Sequence, residues 1–423
     1  MSTENKNYAL PIAMMFALFF MIAFVTGLPS PMGVIVAKQF GATNFESQLG
    51  FLGNFLAYAF MGIPAGIMLK KIGYKKTALA AIAVGFVGVS VQFLSGQAGS
   101  FPVYLIGAFI SGFSMCMLNT VVNPMLNTLG GGGNQGNRLL QFGGSINSIG
   151  ATITPMLVGW LMGAEAGRTI EKANPALFLA LGIFALAFVV LSFVKIPEPH
   201  LQKAEERKVK NQHSPLSFRH FIFGAIAIFI YVGIEIGIPS TANLYMTAQT
   251  TASNPGLGID ATIAGSIVGF YWLLMLVGRL TGASIGAKVS SKAMLITVSS
   301  LGLLFILLAI ISPKTLTLSV PFMENTVVPV SVIFLVLCGL CTSIMWGGIF
   351  NLAVEGLGKY TAAASGIFMV MVCGGGIVPL LQGLVSDHFG YINSYWVMFA
   401  CLAYMLWYAL VGCKNVNKDI PVE

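Results

Sequence analysis

The chain has 423 residues, of which 56% are apolar and only 9% charged, with a formal net charge of +8. A soluble domain carries about 25% charged residues, so this balance excludes a water-soluble globular protein and indicates a polytopic membrane protein. The surplus of positive charge does not indicate nucleic acid, because its distribution follows membrane topology, as the chain order shows.

Twelve apolar segments are long enough to span a bilayer: about 10–36, 48–69, 77–95, 101–126, 141–163, 175–195, 219–247, 259–284, 292–312, 329–355, 361–386 and 391–413. The first is too long for a secretory leader and runs into Gly27-Leu28-Pro29-Ser30, so it reads as a span. Of the 22 Lys and Arg, only Lys38, Arg168, Lys172 and Lys314 fall on the side opposite the N-terminus; the other eighteen share one side. The positive-inside rule then predicts that both termini are cytoplasmic. The run GGGGNQGNR at 130–138 lacks the strand and the Gly-Lys-Ser/Thr ending of a phosphate loop, and reads as a cytoplasmic loop. The six cysteines lie in or beside apolar segments and read as packing residues. The absence of a metal-ligand or Ser-His-Asp pattern argues against an enzyme, and no metal or cofactor is expected.

The longest charged, proline-bearing stretch divides the chain into 1–195, a linker at 196–218, and 219–423. Six spans precede the linker and six follow. Gly27-Leu28-Pro29-Ser30 in the first span matches Gly237-Ile238-Pro239-Ser240 in the seventh, and Gly62 and Gly66 match Gly278 and Gly282. Asn123 before Leu129-Gly130 matches Asn351 before Leu357-Gly358, and Pro155 and Gly159 match Pro379 and Gly383. Four matches in register imply parallel six-helix repeats, with matched breaks at Pro29 and Pro239 flanking a shared central cavity. A proline inside a span also frees a backbone carbonyl, which then needs another donor.

Glu235 lies about sixteen residues beyond Arg219, roughly 24 Å along a helix. That depth is near the middle of a hydrocarbon core about 30 Å thick. An ionisable group there costs on the order of 3 kcal/mol or more unless it meets water, a partner or a ligand. Arg279 falls near the cytoplasmic end of the eighth span, so no cation is expected beside Glu235, and an unpaired carboxyl would suit reversible protonation. Tyr231 and Pro239 share its helical face. Other interior polar or aromatic groups include Asn119, Ser240, Asn243, Tyr271, Trp346 and Gln382. Amides beside aromatic rings suit a polyhydroxylated solute, since amides donate and accept while rings cover the apolar face of a sugar. Pro29, Ser30, Pro239, Asn123, Asn351 and Arg279 read as gating or structural positions.

Several stretches are similar to the fucose–galactose–glucose permease branch of the major facilitator superfamily. They include GIPAGIMLKKIGYK, LNTVVNPMLNTLG, NSIGA, YVGIEIGIPS, YWLLMLVGRLTG and the block at 348–390. The resemblance runs from about Phe40 to Trp396. It implies an all-α membrane protein of twelve helices in two pseudo-symmetric six-helix bundles, placed in a bacterial inner membrane. It further implies a monomeric H+- or Na+-coupled monosaccharide importer working by alternating access, with the lipid bilayer as its surroundings and no nucleic-acid partner. The departures are specific. Asn119 stands where relatives carry a Glu in the fourth span, Ser30 falls near an Asp of the first, and Gly144 replaces a Gln of the fifth. Glu235 is retained, so whatever coupling remains must use Glu235, a sodium site built from neutral oxygens, or nothing.

Overall fold

The computed structural model describes residues 8–129, 133–161, 170–198, 213–285, 289–320, 326–357, 360–417 and 419–421. Among them, eleven helical segments are long and apolar enough to cross a membrane. The first half holds α1 (Ala9–Gly27 continuing as Pro29–Phe40), α2 (Leu49–Ile72), α3 (Tyr74–Ala98), α4 (Phe101–Leu129), α5 (Gly133–Leu161) and α6 (Asn174–Phe193). The second holds α7 (Arg219–Thr247), α8 (Ala261–Ile285), α9 (Ser291–Ile311), α10 (Val330–Thr342 and Met345–Val354), α11 (Thr361–Met371 and Gly374–Phe389) and α12 (Tyr395–Trp407). The twelfth crossing is α5, whose polar residues from Asn134 to Ser148 dilute its apolar character. Its helix already includes Gly133–Arg138, correcting the loop expected over 130–138; residues 130–132 lie outside the described set, as does most of the linker, 199–212. Glycine weakens a helix by only about 1 kcal/mol, which elongation from the apolar part of α5 overrides.

Large apolar side chains such as Phe60, Trp160, Leu186, Phe193 and Leu304 are exposed and form the lipid-facing surface. A short hairpin of β1 (Thr317–Ser319) and β2 (Val327–Pro329) caps the turn from α9 to α10. We call the face that carries the helix starts of α1 and α7 the terminal face, and its opposite the far face. The C-terminal tail returns to the terminal face, where the Arg219 amide donates to Asn417 Oδ1 at 2.9 Å. There the Glu198 carboxylate also accepts from the amides of Tyr74 and Lys75 at the start of α3, fastening the exit of α6 to the turn between α2 and α3.

The halves meet along two seams, α2 with α11 and α5 with α8. Small residues permit the close approach. A Cβ built on Gly376 would fall 2.7 Å from Leu52 Cα, and one on Gly269 would fall 3.2 Å from the Thr152 carbonyl oxygen. At the far face these seams are closed by polar bonds. Thr43 and Glu46 form a capping box on the short helix Asn44–Ser47, and the amides of Asn44 and Phe45 donate to Asp387 of α11 at 2.7 and 2.9 Å. The carboxylate of one half thus caps a helix start of the other. Across the other seam Thr262 Oγ1 donates to the Gly159 carbonyl at 3.2 Å, while Asn254 braces Ser386 of α11 within the second half at 2.9 Å. Tyr391, beside this latch, interacts with Asn44, and burial pushes its hydroxyl up to about 12, so it remains protonated. Toward the terminal face, α4 and the Met345–Val354 part of α10 pack chiefly within their own halves.

The far-face latch predicts a population shift. Asp387→Ala removes two bonds to a helix start, a loss on the order of 1–2 kcal/mol, which should move the balance of far-face-closed and far-face-open molecules roughly five- to thirty-fold toward opening. Pulsed EPR distances between labels on the far-face ends of α2 and α11 measure this; an unchanged distribution would show that the latch carries no weight.

Candidate functional site

Pro239 has no amide hydrogen, so the Glu235 carbonyl, four residues earlier, lacks its helical donor. The Tyr271 hydroxyl of α8 supplies one at 3.3 Å, and Tyr271 also shares a 3.0 Å hydrogen bond with Thr342 of α10. Tyr395 of α12 donates to the neighbouring Ile238 carbonyl at 2.9 Å. With these carbonyls provided for, α7 runs unbroken through Pro239 from Arg219 to Thr247. In α1 the departure at Leu28 is confined to one residue: its dihedrals stay helical (φ −58°, ψ −39°), and its amide shifts to the Val25 carbonyl at 3.3 Å before the helix resumes at Pro29. The expected matched breaks therefore give a correction: the sequence repeat is present, but α7 is continuous through its proline and α1 is only locally distorted at its own. The Ser30 side chain lies outside the described set.

The carboxylate of Glu235 meets Arg279, which corrects the expectation that it has no nearby cation. Arg279 Nη2 stands 3.4 Å from Glu235 Oε1, and both side chains are 16% exposed. The pair lies at the seam between the halves, because Arg279 also bonds to α5. Arg279 reaches it because helical side chains lean toward their own N-termini. In the antiparallel pair α7 and α8, Glu235 leans toward the terminal face and Arg279 leans away from it, so they converge. The same guanidinium crosses to α5 of the other half, where Nη1 donates to the Gly144 carbonyl at 2.8 Å and to Ser148 Oγ at 2.7 Å.

Tyr231, one turn before Glu235, is within electrostatic reach of both charges. Its ring lies 6.2 Å from that of Trp346, centroid to centroid, so the charge pair adjoins an aromatic wall. Glu235, Arg279, Tyr231, Trp346 and Tyr271 thus form one cluster. Facing it in sequence terms, Asn119 is half-buried in α4 and donates to Tyr58 at 2.9 Å and to the Met115 carbonyl at 3.1 Å. Asn123 donates to the Asn119 carbonyl at 2.8 Å. Asn351 is exposed on α10, 3.5 Å from Ser291 Oγ of α9.

Three residues expected at the solute stand apart from this cluster. Ser240 and Asn243 are buried farther along α7, with Ser240 Oγ 3.3 Å from the Gly237 carbonyl. Gln382 is fully enclosed between Gly237 and Ser394. Its contacts belong to the packing of α7, α11 and α12. Sequence reasoning missed Ser148 and Tyr58. A signal for Ser148 existed, since Gly144, Asn147, Ser148 and Thr152 recur at helical spacing and mark one polar face of α5. A separate cavity of about 250 Å³ at the far face is lined by Tyr245, Asn254, Lys314, Ser331 and Tyr391. It is walled by the second half alone, so a solute inside it would not pass between the halves.

The description Major Facilitator Superfamily matches residues 14–378, and the chain belongs to that superfamily. It is a multi-pass membrane transporter of the major facilitator fold, not an enzyme. The chain is 28% identical over 420 residues to a glucose/galactose transporter of Brucella abortus, covering 98% of this chain and 97% of that protein. It is 23% identical over 415 residues to the L-fucose-proton symporter of Escherichia coli, covering 92% and 90%. The solved structure of a Major Facilitator Superfamily transporter, FucP, in the outward conformation covers 96% of this chain with a TM-score of 0.67 at 22% identity, and the whole of that chain is matched.

The proline geometry carries its own prediction. Tyr271→Phe leaves the Glu235 carbonyl without its donor and should destabilise the protein by about 1 kcal/mol. Pro239→Ala restores the helical amide, so the same Tyr271→Phe change should then cost distinctly less in thermal melts of detergent-purified protein, leaving only the loss of the Thr342 bond. Equal losses in both backgrounds would exclude this role for Tyr271.

Proposed function

We propose that the protein imports a monosaccharide across a bacterial inner membrane, coupled to a cation, with both termini cytoplasmic. Residues 1–195 and 219–423 act as the two moving halves, joined by the linker 196–218, and the working unit is a monomer. The single observation that carries the coupling role is Glu235, an acidic side chain still partly exposed within the membrane-spanning part of α7, whose charge-assisted contact with Arg279 is long at 3.4 Å. The names of the relatives, glucose/galactose transporter and L-fucose-proton symporter, support a sugar as solute and favour the proton over Na+. The amide–aromatic surroundings support the same solute class: Trp346, backed by the buried Tyr231, covers an apolar sugar face, while Glu235 and Asn119 exchange hydrogen bonds with hydroxyls.

In this reading the far face is shut and the terminal face is the side of release. Downhill entry of the cation to Glu235 then biases the cycle inward. A second reading is favoured by Arg279, whose fixed positive charge beside Glu235 could stand in for a transported cation and make the protein a uniporter. The inward direction belongs to the importer reading, and its rivals are an exporter or uniporter of another small metabolite and a sugar sensor that moves no solute.

Proteoliposomes separate these readings. Glu235→Gln should abolish uphill accumulation of radiolabelled glucose or galactose while sparing exchange of the same sugar across the membrane. Undiminished uphill uptake by Glu235→Gln would remove the coupling role. Wild-type uptake that ignores both proton and Na+ gradients would establish the uniporter.

A further inference from the structure

Arg279 binds three groups, and two of them belong to the other half of the molecule. Its bonds to Gly144 and Ser148, at 2.8 and 2.7 Å, are tight, whereas its contact with Glu235 at 3.4 Å is at the outer limit of a hydrogen bond. The guanidinium is therefore shared unequally between a carboxylate in its own half and a carbonyl and hydroxyl across the seam. We propose that Arg279 is a positioning residue that ties the charge state of Glu235 to the contact between α5 and α8. A charged Glu235 draws the guanidinium toward α7. Once Glu235 is neutralised, α5 holds Arg279 without a competitor.

The hook depends on a missing side chain. A Cβ at position 144 would lie 3.8 Å from Arg279 Nη1, so a methyl fits, but a longer group projecting from it enters the space that the guanidinium occupies. The Gly144 that departs from the permease pattern is thus what admits Arg279 to the α5 backbone. The other titratable groups that feel the carboxylate are Tyr231 on its own helix and Tyr271 on α8, while α5 presents the neutral Gly144 and Ser148. Linkage makes the coupling reciprocal. If neutralising Glu235 strengthens the α5 contact, strengthening that contact must favour the neutralised Glu235 by the same factor. The inference rests on the transporter reading but on no particular solute.

The test is a double-mutant cycle read by pulsed EPR without any sugar, so its outcome is independent of the sugar assignment. Labels on Phe193→Cys and Val411→Cys, exposed positions in the two halves, report their separation in a background whose native cysteines are replaced. Glu235→Gln should change the ratio of the separated populations about fivefold. The same change made on Arg279→Gln or Arg279→Lys should alter it little. Gly144→Gln and Ser148→Ala keep Arg279 but loosen its hook, and each should reduce the effect of Glu235→Gln; they decide the matter if the Arg279 variants do not elute as a single species. An equal shift with and without the hook, or no shift from Glu235→Gln in the parent, would overturn the proposal.

Discussion

A carboxylate in the middle of a bilayer has to be partnered, and the partner chosen here fixes how three helices sit. Glu235 could be neutralised locally, yet the structure brings a guanidinium to it from α8. A guanidinium has five donors, and one carboxylate contact leaves most of them idle in a partly dry environment. The Gly144 carbonyl and Ser148 hydroxyl of α5 take up two of these bonds. A single buried charge therefore orders α7, α8 and, across the seam, α5. Buried ion pairs contribute little net stability once desolvation is counted. Their effect here is registration: the pair is satisfied only when the three helices stand at one relative height.

The two halves share a sequence repeat but divide the chemistry unequally. Val25, the counterpart of Glu235, is buried and apolar, and α1 is distorted at a single residue, Leu28, just beyond it. In the second half the same Gly-x-Pro-Ser segment stays helical, with Tyr271 donating to the one carbonyl that Pro239 orphans and Tyr395 adding a bond to the Ile238 carbonyl. The first half instead lines its interior with amides that bond to near neighbours, Asn119 to Tyr58, Asn123 to Asn119, and Asn147 to the Phe19 carbonyl at 3.2 Å. At the depth of Glu235, the charge pair stands in the second half and neutral amides in the first.

Much of this was legible in the amino-acid order. The spans follow from apolar length, Glu235 from its depth, and the need for a donor near Pro239 from the chemistry of proline. What the order concealed has identifiable causes. Counting residues locates the Cα of Arg279 at the membrane edge, whereas its long side chain carries the charge away from that level. Around Asn243 the order is silent on orientation, because α7 is buried around nearly its whole circumference and no apolar stripe shows which face borders the cavity. At the start of α5 the local glycine content points to a loop, but elongation from the helix beyond outweighs it.

The α5–α8 seam shows how such a structure can be both held and movable. It is pinned near the far face by Thr262 on the Gly159 carbonyl, and toward the terminal face by Arg279 on Gly144 and Ser148. Between the pins, Gly269 lets the helices touch through van der Waals contact alone. A wholly apolar, interlocked seam would resist any change of angle, since packed interiors lose contacts steeply on separation. A seam of small residues with a polar pin at each end can part at one end while the other stays engaged. Each pin has a carboxylate beside it: the Thr262 amide donates to Asp260 Oδ1 at 2.8 Å within the start of its own helix, whereas Arg279 meets Glu235 on the neighbouring helix α7. Under the proposed coupling, the end nearer Glu235 therefore has a strength that follows what Glu235 binds, while Asp260 fixes the start of α8 locally.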